Sequence, residues 1–319
     1  MMQVAGHRIK KIMVTGCSGF LASHLLKLLL RQDRNKLFGI TEVPGFTYPE
    51  VEVFQVDIRR RDDISHVLGL IRPDVTFHLA AVANVGFAWK NPQLTYDVNF
   101  MGTSNLLEAL QASAPDSRLL LMSSAEVYQT GGDEPISENS STVCQNPYAL
   151  SKLAMEMLGD LYWRAFAMNV CKIRAFNFTG PGQDTKFVAS DFASQIAKIE
   201  RGEQPPVIRV GNLAAVRDFS DVRDVAHYLQ VIGGKSVGGE VFNLCSGWAY
   251  SIRQVLDILL AQARVPIRIE VEANRFRPLD NLRILGDCRL MRSRFGLRPE
   301  FSIEQTLLDL LDYWRQSPC

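Results

Sequence analysis

Short apolar runs alternate with stretches of helical periodicity through the first half of the chain. Residues 9–15 form a β-rich run that stops at Gly16, and apolar residues at helical spacing follow from Phe20 to about Leu30. The same alternation continues to residue 176, and its apolar runs are typical of parallel strands buried on both faces. It predicts strands at residues 37–41, 51–56, 75–81, 118–123 and 170–176, and helices at residues 64–70, 94–113 and 151–167.

Strands that alternate with helices predict an α/β fold, here a Rossmann-type doubly wound parallel sheet with right-handed crossovers. The pattern changes after Asn177, where Gly180-Pro181-Gly182 interrupts the chain and the later elements are shorter and more mixed. We therefore expect a smaller, mixed α/β substrate lobe. The predicted dinucleotide-binding domain takes residues 1–176 and about 222–245, and the predicted substrate domain takes residues 177–221 and about 246–319.

A glycine-rich turn lies between the first strand and the first helix, in the run Thr15-Gly16-Cys17-Ser18-Gly19-Phe20-Leu21-Ala22. Glycines at such a turn let the backbone approach a pyrophosphate at the N-terminus of the helix. The same turn would also serve as an ordinary strand-to-helix connection. Its place at the start of a βαβ pattern favours a dinucleotide site, with contacts from Gly16, Ser18, Gly19, Phe20 and Leu21.

Two carboxylates follow the next two strands and bear on the choice of dinucleotide. Glu42 comes directly after the second strand, where a carboxylate bonds the ribose hydroxyls of NAD and repels the 2′-phosphate of NADP. Asp57 follows the third strand and is placed to accept a hydrogen bond from the adenine amine. Glu42 favours NAD(H), although both residues would also suit solvated surface turns.

Tyr148 and Lys152 are four residues apart in a strongly helical stretch, and Ser124 lies upstream at the end of a predicted strand. The spacing puts the phenol and the ammonium on one helix face, where the cation is expected to lower the pKa of the phenol. Such a tyrosine exchanges a proton with a carbonyl or alcohol oxygen. Taken alone, the same pair would equally suit a solvated helix face.

Composition and charge narrow the classes of partner. The chain has 319 residues, of which 47% are hydrophobic and 22% charged, and its net charge of +1 gives no reason to propose nucleic-acid or membrane-surface binding. Six scattered cysteines without a Cys-x-x-Cys pair predict reduced thiols in a cytoplasmic protein, and no metal site. The leucine-rich run at residues 21–30 is too short to span a bilayer, so we expect no membrane segment.

Several motifs occur together in one order along the chain. They are Thr15-Gly16-x-x-Gly19-Phe20, His78-Leu79-Ala80-Ala81, Asp97-Val98-Asn99, Ser124, Tyr148-x-x-x-Lys152 and Arg217-Asp218-Phe219-x-Asp221-Val222-x-Asp224. With them the chain resembles the extended short-chain dehydrogenases/reductases of the NAD-dependent epimerase/dehydratase family, which act on nucleotide sugars, from residue 12 to about 315. The resemblance implies a cofactor, NAD(H) or NADP(H), with further contacts from Ile58, Leu79, Ala80, Ala81, Asn99, Ser123, Tyr148 and Lys152.

Within that family the chain is similar to the GDP-mannose branch, which contains 4,6-dehydratases and GDP-6-deoxy-D-mannose reductases. The residues that carry this similarity are 177–183, 210–218 and 277–280. The resemblance implies that Asn177, Arg217 and Arg277 bind the diphosphate and that Asp280 bonds the nucleotide ribose, and arginine forks suit diphosphate oxygens. It adds Asn84, Ser124, Glu126 and Val188 as sugar contacts. We expect Arg275 and Arg283 to form a solvated basic face.

The residue after Ser124 bears on the choice between dehydratase and reductase. The dehydratases carry a Thr followed by Asp-Glu or Ser-Glu in this segment, whereas this chain has Ser124, Ala125 and Glu126. Ala125 cannot exchange a proton, and Ala83 replaces a serine that the dehydratases carry near the sugar. Both departures favour a reductase, although Glu126 could still act as the base of a dehydratase.

The preferred mechanism is hydride delivery to C4 of a GDP-linked 4-keto-6-deoxyhexose. Ser124 would polarise the carbonyl, Tyr148 would protonate the alkoxide and Lys152 would hold the nicotinamide ribose, with Asn99 behind it by resemblance. The product is GDP-D-rhamnose or GDP-6-deoxytalose, depending on the face that receives hydride. The alternatives are a GDP-mannose 4,6-dehydratase, another nucleotide-sugar epimerase or reductase, and a catalytically silent nucleotide-sugar sensor.

The family resemblance also implies a homodimer joined by a four-helix bundle. The helices concerned are those around residues 94–113 and 151–167. The leucines and methionine that offer apolar surface on them are Leu106, Leu107, Leu110, Leu153, Met157 and Leu161. The same side chains would otherwise belong to the internal core.

Overall fold

A computed structural model of the protein describes residues 10–32, 35–276 and 281–317. Its main feature is a parallel sheet of seven strands in the order β3-β2-β1-β4-β5-β6-β10. The strands are β1 (Lys10–Thr15), β2 (Asn35–Thr41), β3 (Val51–Gln55), β4 (Val75–His78), β5 (Arg118–Ser124), β6 (Val170–Ala175) and β10 (Val241–Leu244). This is the predicted Rossmann-type doubly wound sheet.

Helices cover both faces of the sheet. They are α1 (Phe20–Leu30), α2 (Arg61–Ile71), α3 (Val85–Lys90), α4 (Pro92–Tyr96), α5 (Gly102–Ser113), α6 (Pro147–Phe166) and α8 (Val222–Lys235). One apolar core joins α1 and α8 to the sheet, and a second joins α2, α5 and α6 to its other face. The central strands β4 and β6 are buried at every position, as is typical of parallel strands covered on both faces.

The remaining elements form a smaller lobe. Its sheet contains β7 (Asn177–Thr179), β9 (Val216–Asp221), β11 (Ala249–Ser251) and β13 (Arg283–Ile284), and a parallel pair joins β8 (Val207–Val210) to β12 (Arg268–Val271). Its helices are α7 (Val188–Glu200), α9 (Ile252–Leu260), α10 (Arg289–Phe295) and α11 (Ile303–Gln316). A third core lies among α7, α9 and α11. The exact division of the chain into two domains stays a prediction.

Three predicted elements differ from the structure in ways that affect the site. The strand expected at residues 75–81 ends at His78, so that the following residues form a loop at the carboxyl edge of the sheet. The helix expected at residues 94–113 is interrupted by a π-helical turn at Asp97–Met101. The helix expected from Ser151 begins four residues earlier at Pro147, because the Asn146 side chain caps it by accepting from the Ala149 N–H at 2.8 Å.

Within residues 10–32, 35–276 and 281–317, no helix combines the length and the apolar character that crossing a membrane requires.

Candidate active site

The glycine-rich turn brings two backbone segments into contact. Gly16 has a φ of +67°, and a Cβ added there would lie 2.8 Å from backbone atoms of Ala80, so only glycine fits. Gly19 occupies the N-cap of α1 with no side-chain cap, and its N–H donates to the Gly16 carbonyl at 2.9 Å. The first-turn N–H groups of α1 therefore have no side-chain acceptor at the cap. Such a helix N-terminus behind a glycine turn suits a dinucleotide pyrophosphate.

The other predicted residues of this turn anchor it to its surroundings. The Ser18 hydroxyl bonds the Thr41 hydroxyl at 2.7 Å, which ties the turn to the end of β2. The Phe20 ring stacks on Phe178 with a centroid separation of 6.0 Å, which links the turn to the smaller lobe. The Leu21 side chain is buried in the core under the sheet, so only its backbone is left to reach a cofactor.

Sequence reasoning missed Arg59, which lies beside Asp57, one of the two carboxylates predicted to bind the adenosine part of the cofactor. Asp57 is engaged by Arg59, whose Nη2 and Nε lie 2.6 Å and 3.0 Å from its carboxylate, and this hydrogen bonding lowers the Asp57 pKa. The hydrogen bond to Asp57 is the main cause that raises the Arg59 pKa, and the charge of Glu42, which is exposed after β2, adds to it. Ile58 packs against Gly102 at the start of α5. Sequence reasoning weighed only Glu42, in the turn after β2, against a 2′-phosphate. Arg59 follows β3 instead.

A buried histidine connects the glycine-rich turn to the neighbouring helix. The Thr103 hydroxyl donates to the Asn99 carbonyl at 2.6 Å, so its oxygen accepts the Nε2–H of His78 at 2.9 Å. The Nδ1 of His78 then accepts from the Thr15 hydroxyl at 2.7 Å. Burial, with the charge of Lys152, lowers the His78 pKa to about 3, so the ring is neutral. The Ala80 N–H completes this chain by donating to Thr15 Oγ1 at 3.2 Å.

Asn99 carries the same chain of hydrogen bonds to the catalytic helix. Its side chain donates to the Val82 carbonyl at 3.0 Å and accepts from the Val82 N–H at 2.8 Å. Asn99 Nδ2 also donates to the Ser151 hydroxyl at 2.9 Å, and Ser151 donates to the Tyr148 carbonyl at 2.7 Å. The predicted cofactor residues Leu79, Ala80 and Ala81 are half-buried in the loop that this network fixes.

The predicted catalytic residues meet where β5 ends and α6 begins. Ser124, Tyr148 and Lys152 are all buried, and Ser124 donates a hydrogen bond to the Tyr148 phenol oxygen. The Lys152 Nζ donates to the Met122 carbonyl at 2.6 Å and lies 5.9 Å from the centroid of the Tyr148 ring. Strand β5 and helix α6 thus bring together the three groups that the sequence pattern singled out. The Ser123 hydroxyl is engaged by another residue of α6, because it donates to Glu156.

Burial sets the protonation of the tyrosine and the lysine in opposite directions. Burial is the main cause that raises the pKa of Tyr148 to about 12; the hydrogen bond with Ser124 opposes this shift, and the Glu126 charge adds to it. The expected lowering of the Tyr148 pKa is therefore wrong for the protein without ligands, because the cost of desolvating a phenolate dominates. Burial lowers the pKa of Lys152 to about 7, and the charge of Glu156 opposes that shift. The phenol is a proton donor at neutral pH.

Glu126 lies beside the tyrosine in the 3₁₀ turn that follows β5. Its N–H donates to Ser124 Oγ at 3.2 Å, and its carboxylate accepts from Asn146 Nδ2 at 3.2 Å. Asn146 is the N-cap of α6, so one amide joins the carboxylate to the first turn of the catalytic helix. Ala125, between Ser124 and Glu126, is buried. Sequence reasoning missed Asn146, although its position before Pro147 marks a helix N-terminus.

The substrate residues predicted from the smaller lobe are spread over several segments. Asn177 is exposed at the start of β7, and Val188 is half-buried at the start of α7. Asn84 caps α3 and donates to the Lys186 carbonyl at 3.0 Å. The buried Arg217 donates to the Asn281 carbonyl at 2.6 Å. Two further predicted residues, Arg277 and Asp280, lie outside the described residues.

The buried neighbour of Arg217 ties two loops to β9. Asp218 accepts from the Ser246 N–H and hydroxyl at 2.8 and 2.7 Å and from the Gly247 N–H at 2.9 Å. Arg275, expected on a solvated face, is exposed and pairs with Asp191 at 2.8 Å and Glu272 at 3.1 Å. Among the residues that the structure describes, no three His, Cys, Asp or Glu side chains group in a way that would hold a metal ion.

Comparison with known proteins identifies the family. Residues 13–310 match the family described as GDP-mannose 4,6 dehydratase. The chain belongs to this family. Similar curated proteins include a GDP-6-deoxy-D-mannose reductase of Pseudomonas aeruginosa, 32% identical over 308 residues, which cover 96% of this chain and 97% of the relative. A GDP-6-deoxy-D-talose 4-dehydrogenase of Aggregatibacter actinomycetemcomitans is 29% identical over 94% of this chain and 96% of its own.

A solved structure supports the same assignment to the GDP-mannose 4,6 dehydratase family. The structure of RMD from Pseudomonas aeruginosa, complexed with NADPH, superposes with a TM-score of 0.83 at 31% identity. The match covers 96% of this chain and 99% of that one. The fold therefore agrees with that of a similar protein of known structure.

The glycine cradle gives a direct test of dinucleotide binding. We expect Gly16→Ala to weaken NADPH and NADH about tenfold or more, because the methyl group meets the Ala80 backbone and the left-handed conformation is strained. Nicotinamide fluorescence on titration measures the effect. Gly45→Ala is the matched control, since Gly45 has a φ of +70° but no atom within 4 Å of an added Cβ. Equal affinities in the two variants would contradict a cofactor site at this turn.

Proposed function

We propose that this protein is an NAD(P)H-dependent reductase of the 4-keto group of GDP-4-keto-6-deoxy-D-mannose, giving GDP-D-rhamnose or GDP-6-deoxy-D-talose. The observation that carries the proposal is a buried Tyr148 that keeps its proton at neutral pH, bonded to Ser124 and adjacent to a segment with Ala125. The named relatives, a GDP-6-deoxy-D-mannose reductase and a GDP-6-deoxy-D-talose 4-dehydrogenase, support a GDP-linked 6-deoxyhexose as the substrate.

The side chains supply polarisation and a proton. A bound reduced nicotinamide supplies the hydride for C4. Ser124 donates a hydrogen bond to the C4 carbonyl oxygen, and Tyr148 passes its proton to that oxygen as negative charge develops. Lys152 holds the nicotinamide ribose, since the Met122 carbonyl occupies only one of the three N–H donors of the ammonium. Asn99 fixes the first turn of α6 through Ser151.

At the adenosine end of the proposed cofactor site there is one side chain that suits NADH and another that suits NADPH. Glu42 suits the ribose hydroxyls of NADH, whereas Arg59 suits the 2′-phosphate of NADPH. The solved relative with NADPH supports the phosphorylated form as a substrate for this chain as well. The substrate diphosphate is assigned to Asn177, Arg217 and Arg277, with Asp280 on the nucleotide ribose.

A GDP-mannose 4,6-dehydratase is the second candidate, because Glu126 is retained beside Tyr148 and could take a proton from C5. A single assay separates the two reactions. We expect GDP-4-keto-6-deoxymannose to be consumed with stoichiometric oxidation of NADPH or NADH, and GDP-mannose to be left unchanged, because Ala125 supplies no proton. Product identification by NMR also gives the configuration at C4. A 4-keto sugar formed from GDP-mannose without net cofactor oxidation would establish the dehydratase instead.

The proton-donating role of Tyr148 is tested by removing its hydroxyl. We expect Tyr148→Phe to lower kcat for the ketosugar by about 10²–10⁴-fold, the range typical of general acid catalysis, and to leave NADPH affinity almost unchanged. Steady-state kinetics and cofactor titration measure the two effects. Tyr162→Phe is the control, because it removes a half-buried phenol from the same helix farther from Ser124. Full turnover in Tyr148→Phe would exclude the mechanism.

We also propose a homodimer, formed through an apolar face on α4, the π turn and α6. The face consists of the exposed side chains of Leu94, Met101, Leu150, Met157 and Leu161. Of the residues predicted from the sequence for this role, some lie on the surface and others lie in the core. Leu106, Leu107 and Leu110 are wholly buried in this chain's own core, Leu153 is half-buried, and Met157 and Leu161 are 65% and 57% exposed. Contiguous exposed apolar surface of this kind marks an interface.

Two charges on this face test the homodimer. We expect the double variant Met157→Glu/Leu161→Glu to be a monomer in light scattering, because an interface there would bury four unpaired carboxylates. Leu70→Glu is the control, since Leu70 is 61% exposed on α2, away from the face. A wild-type protein that is already monomeric would contradict the proposal.

Free thiols at Cys17, Cys144, Cys171, Cys245 and Cys288 support a reducing, cytoplasmic location.

A further inference from the structure

Helix α6 carries a third buried polar residue on the face that bears Tyr148 and Lys152. Glu156 follows Lys152 by four residues, so the three side chains are spaced at i, i+4 and i+8. Glu156 is 2% exposed, and the proton transfer described above makes no use of it. A carboxylate is almost never buried this deeply unless it has partners, so its contacts bear on its role.

The partners of Glu156 come from the two strands beneath the helix. The Arg174 guanidinium forms a bidentate pair with it, with Nη2 2.7 Å from Oε2 and Nε 3.0 Å from Oε1. The Ser123 hydroxyl donates to Oε1 at 2.5 Å. Ser123 on β5 and Arg174 on β6 are direct neighbours in the register of the sheet. One carboxylate therefore fastens α6 to β5 and β6 at the residue that precedes Ser124.

Arg174 is itself held from two other directions. Its Nη1 donates to the Glu138 carbonyl at 3.2 Å, and its guanidinium lies 4.7 Å from the centroid of the Tyr128 ring. These contacts hold the Arg174 guanidinium in place, so its ion pair with Glu156 also fixes the position of α6 relative to the sheet. The catalytic groups need such a link, because Ser124 belongs to β5 whereas Tyr148 and Lys152 belong to α6.

We propose that Glu156 is a positioning residue for the reduction, which clamps α6 onto β5 and β6 through Ser123 and Arg174 and supplies the negative charge that keeps Lys152 an ammonium. The inference rests on the proposed reductase function. The charge effect follows from burial, since an ammonium in a site with little water is stabilised mainly by nearby anions. Burial lowers the Lys152 pKa to about 7, and Glu156 is the group whose charge raises it.

The next carboxylate on the helix provides a matched control. Asp160 lies four residues after Glu156 and forms an ion pair with Lys172 of β6, as Glu156 does with Arg174. Both pairs join α6 to the same strand. Asp160 is about one more helical turn away from Lys152, and its side chain is 32% exposed, so solvent screens its charge. The two carboxylates therefore share a link to β6 and differ in their distance from Lys152 and in burial.

The pH dependence of kcat/KM with the ketosugar tests the charge effect. Because the Lys152 pKa is about 7, we expect the wild-type enzyme to lose activity above that pH as Lys152 loses its proton. We expect Glu156→Gln to move this alkaline limb to lower pH by about one unit, a tenfold loss at pH values above both limbs. Glu156→Asp keeps the charge and shortens the side chain, so we expect an unmoved limb and a lower kcat. Asp160→Asn should change neither quantity.

A readout without turnover separates this inference from the proposed function. Unfolded Lys152 keeps its proton to about pH 10.5, whereas the folded site loses it near pH 7. Between these values the unfolded state binds one more proton, so this residue's contribution to the free energy of unfolding rises with pH. Subtracting the curve of a Lys152→Met counterpart isolates that contribution. We expect the rise to begin at lower pH in Glu156→Gln, because its folded-state Lys152 pKa is lower.

The outcomes distinguish the two claims. Coincident pH limbs and coincident stability curves for wild type and Glu156→Gln would overturn the positioning role. A wild-type protein inactive on the ketosugar would overturn the proposed reductase, whereas the stability curves would still decide the role of Glu156. Removing the carboxylate alone leaves a buried arginine unpaired, which can prevent folding. In that case Glu156→Gln/Arg174→Gln, which removes both charges, replaces the single variant, and we expect a shift in the same direction but smaller, because the cation that opposed Glu156 is removed too.

Discussion

The close approach of α6 to strands β5 and β6 is the constraint on which the site depends. It buries Tyr148 and Lys152 together, and burial penalises whichever form of each group is charged. The Tyr148 phenol, with a pKa of about 12, therefore keeps its proton at neutral pH. The Lys152 ammonium, with a pKa of about 7, loses its proton much more readily than an ordinary lysine. These are the states that suit proton donation to a carbonyl oxygen. In this site the packing of a helix against a sheet sets the acid–base chemistry, and neighbouring charges then adjust it.

Hydrogen bonds between elements keep that arrangement in register with the dinucleotide turn. A neutral His78 links Thr15, before the glycine-rich turn, to Thr103 and so to the backbone of Asn99. The Asn99 side chain extends the link to Ser151 on α6. Each donor in this series meets one acceptor, so the tautomer of the histidine and the directions of the bonds are fixed. The glycine-rich turn and the helix that carries Tyr148 are thereby parts of one hydrogen-bonded network.

Sequence reasoning predicted the sheet, and it singled out the glycine turn and three polar groups that the structure brings together, because periodicity and close spacing are local signals. It did not place the start of α6 or the π turn at Asp97–Met101, because a cap and a helix defect depend on individual hydrogen bonds. It missed Arg59 and Asn146, whose partners are set by the fold. The pKa of Tyr148 was expected in the wrong direction because spacing shows the nearby cation, whereas the cost of burial appears only in three dimensions.

The same packing gives a physical account of why a reductase would retain Glu126. In a dehydratase this carboxylate would need to approach C5 of the sugar, with a proton-bearing neighbour to assist the loss of water. Here that neighbour is Ala125, and the Glu126 carboxylate is held by the Asn146 amide that also caps α6. Its charge raises the Tyr148 pKa and so stabilises the protonated phenol. In the proposed reduction, the residue that could abstract a proton from carbon instead helps the tyrosine to keep the proton that it gives to oxygen.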